Sequence, residues 1–324
     1  MRRLIECVPN FSEGRRSHVI DALAATVTET PGIHLLDRSS DADHNRSVLT
    51  FAGPPRVVAD AMERMVAIAL ETIDMAQHTG QHPRMGAVDV VPFVPLGETS
   101  LDEAVALAGE FAQRIAERFE LPVYLYAMAA TRPERRILAD VRRPQYEGLR
   151  TLIAEDPDRA PDFGPHRLHP SGGAVAVGAR PFLIAYNINL RSEDVVLAKR
   201  IAGAVRERGG GLPGVQALGL YLEDLRCAQV SMNLLDHAVT PIWRVWETVR
   251  DLAAAEGVEL RESELIGLAP LAALLSVADH AAIPTTGTDA ERITAAADWL
   301  GIRDFEPSKA LELRLAWAEG GGDA

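Results

Sequence analysis

Cysteine is nearly absent: only Cys7 and Cys227 occur in 324 residues, far apart and in apolar surroundings. That excludes a disulfide framework, and with no Cys-x-x-Cys spacing it offers no zinc or redox motif, so both read as reduced packing residues. Long apolar runs are missing too, and none approaches the roughly eighteen uncharged residues that a membrane-spanning helix needs. The opening MRRLIECVPNFSEG turns from two arginines to a glutamate, a proline and an asparagine where a signal peptide requires a greasy stretch. A cytoplasmic protein is therefore expected, with no membrane partner. Net positive charge is also lacking: the formal charge of -13 argues against a coat for nucleic acid or anionic membrane. A local cluster of arginines can still hold a small acidic substrate. No Gly-x-x-x-x-Gly-Lys occurs, and no Gly-x-Gly-x-x-Gly supports a dinucleotide site.

What is present is an ordinary globular composition, 47% hydrophobic and 24% charged, with enough apolar mass for two cores. The boundary is expected near residue 180, giving domains over 1–180 and 181–324. Residues 3–8 read as a strand and 16–28 as an amphipathic helix with Val19, Ile20, Leu23 and Val27 at helical spacing. Strands follow at 33–37 and 47–52, with the polar stretch SSDADHNR between them read as a loop. A helix over about 54–75 and a buried strand over 88–94 complete the order strand, helix, strand, strand, helix, strand. That order is the βαββαβ pattern of a ferredoxin-like unit. It recurs as strand 182–190, helix 194–208, strands 215–222 and 228–234, helix 241–255 and strand 258–268. The fold class is therefore α+β, two tandem ferredoxin-like subdomains. Between the halves lie a helix over 101–119, a strand over 123–126, an Arg-rich helical segment and the connector PDRAPDFGPHRLHPSGGAVAVGARP. So many prolines and glycines predict that the connector forms neither a long helix nor a central strand; it is either a linker or a binding loop. The last forty or so residues read as helix and frayed tail.

The most chemically suggestive segment is HTGQHPRMGAVD at 78–89, joining a helix end to a buried strand. Pro83 disfavours the helical region for His82, which aims the imidazole off the helix, and Gly80 and Gly86 allow close approach. Arg84 supplies a planar cation suited to a carboxylate. The plainer alternative has His82 complementing a helix dipole and Arg84 pairing with Asp89; His78 suits the capping role better. Metal is disfavoured: the His78–His82 spacing has Thr79 where a zinc hydrolase needs glutamate, and Gly80 and Pro83 break the helix. In the connector, Phe163, His166, Arg167, His169, Ser171, Gly172 and Arg180 combine aromatic, cationic and small residues able to hold a flat heterocycle with carboxylates. Asn187 and Asn189 share one strand face, as do Gln229, Ser231 and Asn233, which suggests either a polar-lined cleft or a solvated sheet face. Asp37, Asp41, Asp43, His44, Asn45 and Arg46 are either a solvated loop or one wall of a site. The arginines at 132, 135, 136, 142 and 143 read as an exposed helical face, with carboxylate binding as the alternative.

Seven blocks carry a resemblance: CVPNFSEG at 7–14, DHNRSVLT at 43–50, GQHPRMGAVDVVPFVP at 80–95, PVYLY at 122–126, PDFGP at 161–165, GARPFLIAYNINL at 178–190 and AQVSMNLLD at 228–236. In this order they resemble the glutamate formimidoyltransferase family over residues 4 to about 275. The resemblance implies two ferredoxin-like subdomains with a folate cleft between them, and a homodimer. It implies transfer of the formimidoyl group from N-formimidoyl-L-glutamate to N5 of tetrahydrofolate, a co-substrate, in histidine degradation and one-carbon metabolism, with no metal. His82 falls on the family's catalytic histidine, a task suited to a group titrating near neutrality. Phe163, Gly164, Pro165, His166, Arg167, Leu168, His169, Pro170, Ser171 and Gly172 fall on its folate loop. Further substrate-binding candidates are Asp37, Asn45, Arg46, Arg84, Asp89, Arg180, Asn187, Asn189, Gln229 and Asn233. Where some relatives carry aspartate this chain has Ser39, so Asp37, Asp41 or Asp43 is expected to assist His82. Ser171-Gly172-Gly173 also replaces a bulkier residue. In animals the family is fused to a cyclodeaminase domain, and this chain looks like the stand-alone form. The alternatives are the same scaffold with 5-formyltetrahydrofolate as donor, and a non-catalytic folate or amino-acid binding module.

Overall fold

A computed structural model describes residues 2–80 and 82–320, and in it the chain divides into two units between Arg180 and Pro181. The first unit runs β1 (Arg3–Cys7), β2 (Asn10–Phe11), α1 (Ser17–Thr28), β3 (His34–Asp41), β4 (Arg46–Gly53), α2 (Pro55–Thr72), β5 (Val88–Gly97), α3 (Leu101–Phe119), β6 (Val123–Ala127), α4 (Leu138–Arg142), α5 (Gln145–Glu155) and β7 (Val175–Ala179). β1 and β2 both lie between β4 and β5, antiparallel to each, and β3 pairs antiparallel with the far edge of β4. On the other side β5, β7 and β6 run parallel.

Period-2 alternation decides which side chains enter the core. Ile5, Cys7, Phe11, Leu49, Phe51, Val91 and Phe93 pack under α1, α2 and α3 with Leu23, Met62, Met65 and Phe111. Each large apolar side chain fully buried there contributes about 1.5–3 kcal/mol. α3 starts at a capping box in which Ser100 and Glu103 satisfy each other's backbone N–H groups. Across the sheet, Val141, Leu149 and Ile153 of α4 and α5 cover Val90, Tyr124, Tyr126 and Ala176. Arg46 alternates with Ser47, Leu49 and Phe51, so it leaves β4 on the side opposite α2.

Two sequence expectations fail here. The polar stretch 39–46 is not all loop: β3 continues through Ser39, Ser40 and Asp41 as an exposed strand, the chain turns only at 42–45, and Arg46 already opens β4. Polar side chains do not stop a strand whose ladder is already paired with β4. The connector does form a central strand, because its AVAVGA run is buried on both faces between β5 and β6, where parallel strands read as continuous small apolar runs.

The second unit runs β8 (Ile184–Leu190), α6 (Val195–Val205), β9 (Val215–Leu222), β10 (Cys227–Leu234), α7 (Ile242–Ala255), β11 (Leu260–Ile266), α8 (Leu271–His280), α9 (Asp289–Leu300) and α10 (Leu311–Ala318). Its sheet is antiparallel throughout, in the order β11-β8-β10-β9. Tyr186, Ile188, Val230 and Met232 pack with Leu197, Ile201, Val245 and Val249 of the helices. Cys7 and Cys227 are buried free thiols. Among the described residues no helix is long and apolar enough to cross a membrane.

Candidate active site

Three segments distant in sequence meet at the β3–β4 turn. Asn45, buried at the turn with φ +49°, accepts at Oδ1 from the Gly14 N–H at 2.9 Å and donates from Nδ2 to the Thr79 carbonyl at 3.0 Å. A Cβ on Gly14 would strike the Asp41 and Arg46 backbone, and one on Gly80 the His44 carbonyl, so both glycines are required for this approach. Ser12 ties the other end of the loop, donating from Oγ to the Gly86 carbonyl at 2.7 Å. The segment around His82 is thereby clamped on both sides.

His78 braces the loop. Its Nε2–H donates to the Asn45 carbonyl at 3.1 Å, and its Nδ1 accepts from Arg84 Nε at 3.2 Å. It is therefore held as a neutral tautomer, and burial lowers its pKa. The capping role expected for His78 does not occur, since α2 ends at Thr72. Arg84 does not pair with Asp89 either; it forks onto Glu147 of α5 at 2.6 and 3.1 Å. Asp89 accepts from the Met85 N–H at 2.9 Å and pairs with Arg142 of α4. Arg135 pairs with Asp162 and lies over the Tyr124 ring. Thus Arg135 and Arg142 do not belong to an exposed face, although Arg136 and Arg143 do.

His82 itself is half-buried, and Arg46 Nη1 donates to its Nε2 at 2.8 Å. That contact needs a lone pair on Nε2, so the imidazole is neutral with its proton on Nδ1. The His44 ring stands edge-on with centroids 6.3 Å apart, and His44 Nδ1 lies 2.8 Å from Asp41 Oδ2. Burial, then the Arg46 and Arg142 guanidiniums and His44, push the His82 pKa down to about 3, against a weak opposing hydrogen bond with the Pro83 backbone. Titration near neutrality, expected from the sequence, is absent because the ring is partly desolvated among cations.

Of the acidic candidates, Asp41 reaches the site through His44, whereas Asp37 lies four residues back on β3, opposite Thr50 and roughly 13 Å along the strand. The 163–172 segment is anchored at both ends. Phe163 pairs with Val123 of β6, while the Ser171 carbonyl accepts from Met75 N–H at 2.8 Å and the Gly172 carbonyl from Ala87 N–H at 2.9 Å. Its middle is open: Gly164, His166, Arg167 and Pro170 are exposed, and Arg167 pairs with Glu120. A cavity of about 330 Å³ lies along Arg167, Leu168, His169 and Pro170. A second, of about 440 Å³, is lined by Arg135, Arg143, Arg159 and carboxylates beside Tyr124, with Arg143 paired to Asp140, and the His82 ring is not in its wall. Arg180 hydrogen-bonds the Tyr126 hydroxyl.

In the second unit the polar face of the sheet is a network. Gln229 Nε2 donates to Asn189 Oδ1 at 2.8 Å, Asn189 Nδ2 to Glu262 Oε1 at 3.1 Å, and Arg303 reaches both Glu262 and Glu264. Asn187 and Asn233 share that face, opposite Ser231 and Ala185. Glu262, Glu264 and Arg303 were missed in the sequence, although Glu262 and Glu264 alternate in β11 as the amides do in β8.

Residues 4–180 match the family described as "Formiminotransferase domain, N-terminal subdomain", and residues 185–314 match "Formiminotransferase domain". The chain is 45% identical over 280 residues to a glutamate formimidoyltransferase of Streptococcus pyogenes, covering 86% of this chain and 93% of that one. It is 44% identical over 279 residues to a glutamate formimidoyltransferase of Thermoplasma acidophilum, covering 86% and 91%. A formimidoyltransferase-cyclodeaminase of Gallus gallus is 46% identical over 285 residues, which cover 86% of this chain and 52% of that protein.

Proposed function

Because this chain belongs to the formiminotransferase family, we propose that it moves the formimidoyl group of N-formimidoyl-L-glutamate to N5 of tetrahydrofolate, with His82 as its acid–base residue. It is a one-carbon transferase, and its reaction belongs to histidine degradation. The observation that carries the assignment of His82 is its neutral imidazole, held at 2.8 Å by Arg46 on a loop clamped by Asn45 and Ser12.

N5 attacks the formimidoyl carbon, forming the N5–C bond and leaving a proton on a cationic nitrogen. The neutral His82 ring takes that proton and returns it to the departing glutamate nitrogen as the C–N bond breaks, so no proton is gained or lost. Asp89 and Asp41 are the nearby carboxylates that favour a cationic intermediate, each already partnered, by Arg142 and His44 respectively. The folate is assigned to the 163–172 segment, whose fixed ends and open middle support a loop that closes on a flat ring. The βαββαβ order of each unit supports a ferredoxin-like reading of both, as subdomains over 1–180 and 181–324. Two buried unpaired thiols favour a reducing compartment such as the cytoplasm.

The test is direct. Purified protein mixed with formimidoylglutamate and tetrahydrofolate should yield 5-formimidoyltetrahydrofolate and glutamate. His82→Ala should lose about a hundredfold or more in kcat, the scale of one acid–base group, while keeping its circular dichroism. Full activity in that variant would overturn the mechanism.

A further inference from the structure

We propose that Arg46 and Arg142 together form the receptor for a carboxylate of the formimidoyl donor, beside His82. The proposal rests on the acid–base role given to His82 above. Arg142 did not stand out from its neighbours in the sequence.

The argument begins with an unbalanced charge. Arg46 is half-buried, its hydrogen bond goes to a neutral ring, and among the described residues no carboxylate lies within ion-pair distance of it. Burial and the neighbouring Arg142 both disfavour its charge, and Asp89 and Asp41 only partly offset them. Arg142 is incompletely matched as well: it pairs with Asp89, but its Nε is buried with no hydrogen-bond partner. The charged and titratable groups acting on His82 are Arg46 and His44 from the β3–β4 hairpin and Arg142 from α4, and behind them stand Asp41, on His44, and Asp89 of β5, on Arg142. Of the two carboxylates, Asp41 is engaged by the His44 ring and backbone, and Asp89 by Arg142 and the Met85 N–H. Two guanidiniums that both act on the His82 ring are therefore matched by one carboxylate in contact, and a planar fork is the group best shaped for a second.

The donor supplies it. Formimidoylglutamate carries two carboxylates close to its reacting amidine. The carboxylates of a folate stand beyond its p-aminobenzoyl group, away from N5. With N5 at His82, the anion that can reach Arg46 is the donor's.

A consequence follows for the base. The two guanidiniums that hold His82 unprotonated are the groups the carboxylate would neutralise, so donor binding raises the affinity of the ring for a proton. The free site keeps a weak base, and the donor itself strengthens it before N5 attacks.

Three variants test this. Arg142→Lys keeps the charge beside Asp89 but loses the fork. Arg142→Gln removes the charge, and the double variant Asp89→Asn/Arg142→Gln removes it without leaving a buried carboxylate unpaired. Each should raise KM for formimidoylglutamate by about tenfold or more, the scale of one charge-assisted hydrogen bond, with KM for tetrahydrofolate unchanged. In the wild type, saturating L-glutamate should move the NMR titration of His82 upward by at least about one pH unit, the size of an ordinary nearby-charge effect. In Arg142→Gln the free protein should already titrate higher and glutamate should add less. A donor KM unchanged in folded Arg142→Lys and in the double variant, or a His82 titration indifferent to glutamate, would overturn the receptor and leave the transferase intact. Wild-type protein that binds glutamate through Arg142 yet transfers nothing would sink the transferase and leave the receptor.

Discussion

Asn45 shows how one side chain can organise a site through the backbone it holds together. It occupies the left-handed region at φ +49° and joins Gly14 to Thr79 through its two amide atoms, a conformation asparagine tolerates better than alanine. Asn45→Ala should destabilise the protein by about 3 kcal/mol, combining roughly 1–2 for the backbone with a similar loss for the stranded partners. Asn45→Gly removes only the second part. Urea denaturation separates them, and a glycine variant as stable as the parent would show that the amide contributes nothing. Residue identity alone told less about Arg142. It and Arg143 are adjacent at the end of α4, yet the first is drawn in by Asp89, fifty-three positions earlier, and the second stays on the surface with Asp140. Pairing across that separation has no local signature, whereas His82 was visible because Pro83 and the flanking glycines constrain the backbone there.

At the scale of elements, legibility followed packing. Helices with an apolar stripe, such as α2 and α3, and strands with Val and Phe, such as β5, were readable because their own period carries the signal. β7 was not, since its five buried residues have no polar alternation and sit among prolines and glycines that suggest a loop. Its central place depends on Gly178, where a Cβ would lie 2.6 Å from the Tyr126 ring and carbonyl. Gly178→Ala should therefore lower stability by about 2 kcal/mol, as overpacking in a filled core does. Gly203→Ala, on α6 with open space around it, should instead raise stability by about 0.5–1 kcal/mol through helix propensity. Opposite signs for the same chemical change would be read as melting-temperature shifts, and a stabilising Gly178→Ala would contradict the placement of β7.

For the whole molecule the pH dependence of stability follows from which groups burial has moved. His82 is lowered from 6.5 to about 3, and His78, His169 and His237 are lowered too, all chiefly by desolvation. Below pH 6.5 the unfolded chain therefore binds protons that the native state refuses, so stability falls as pH drops toward 3. Carboxylates add a later loss. Glu13 is lowered on balance, burial opposing but the Arg16 and Arg15 backbone N–H groups and the Arg16 guanidinium prevailing, and the Arg84 fork lowers Glu147, so both favour the native state until pH falls below 4.5. On the alkaline side burial raises Cys7, Tyr124, Tyr126 and Tyr186, whose ordinary values are 9.0 and 10.0, so the unfolded chain ionises first and stability falls again above pH 9. Urea midpoints measured from pH 4 to pH 10 should form a plateau between about 6.5 and 9, with an acid slope that begins before any carboxylate titrates. His82→Asn, which keeps a polar side chain beside Arg46, should flatten the acid slope below pH 6.5, because the folded ring resists protonation all the way down to about 3. A slope that stays the same in that variant would mean the His82 ring is as well hydrated in the folded protein as in the unfolded chain, and that the guanidiniums beside it do not suppress its protonation.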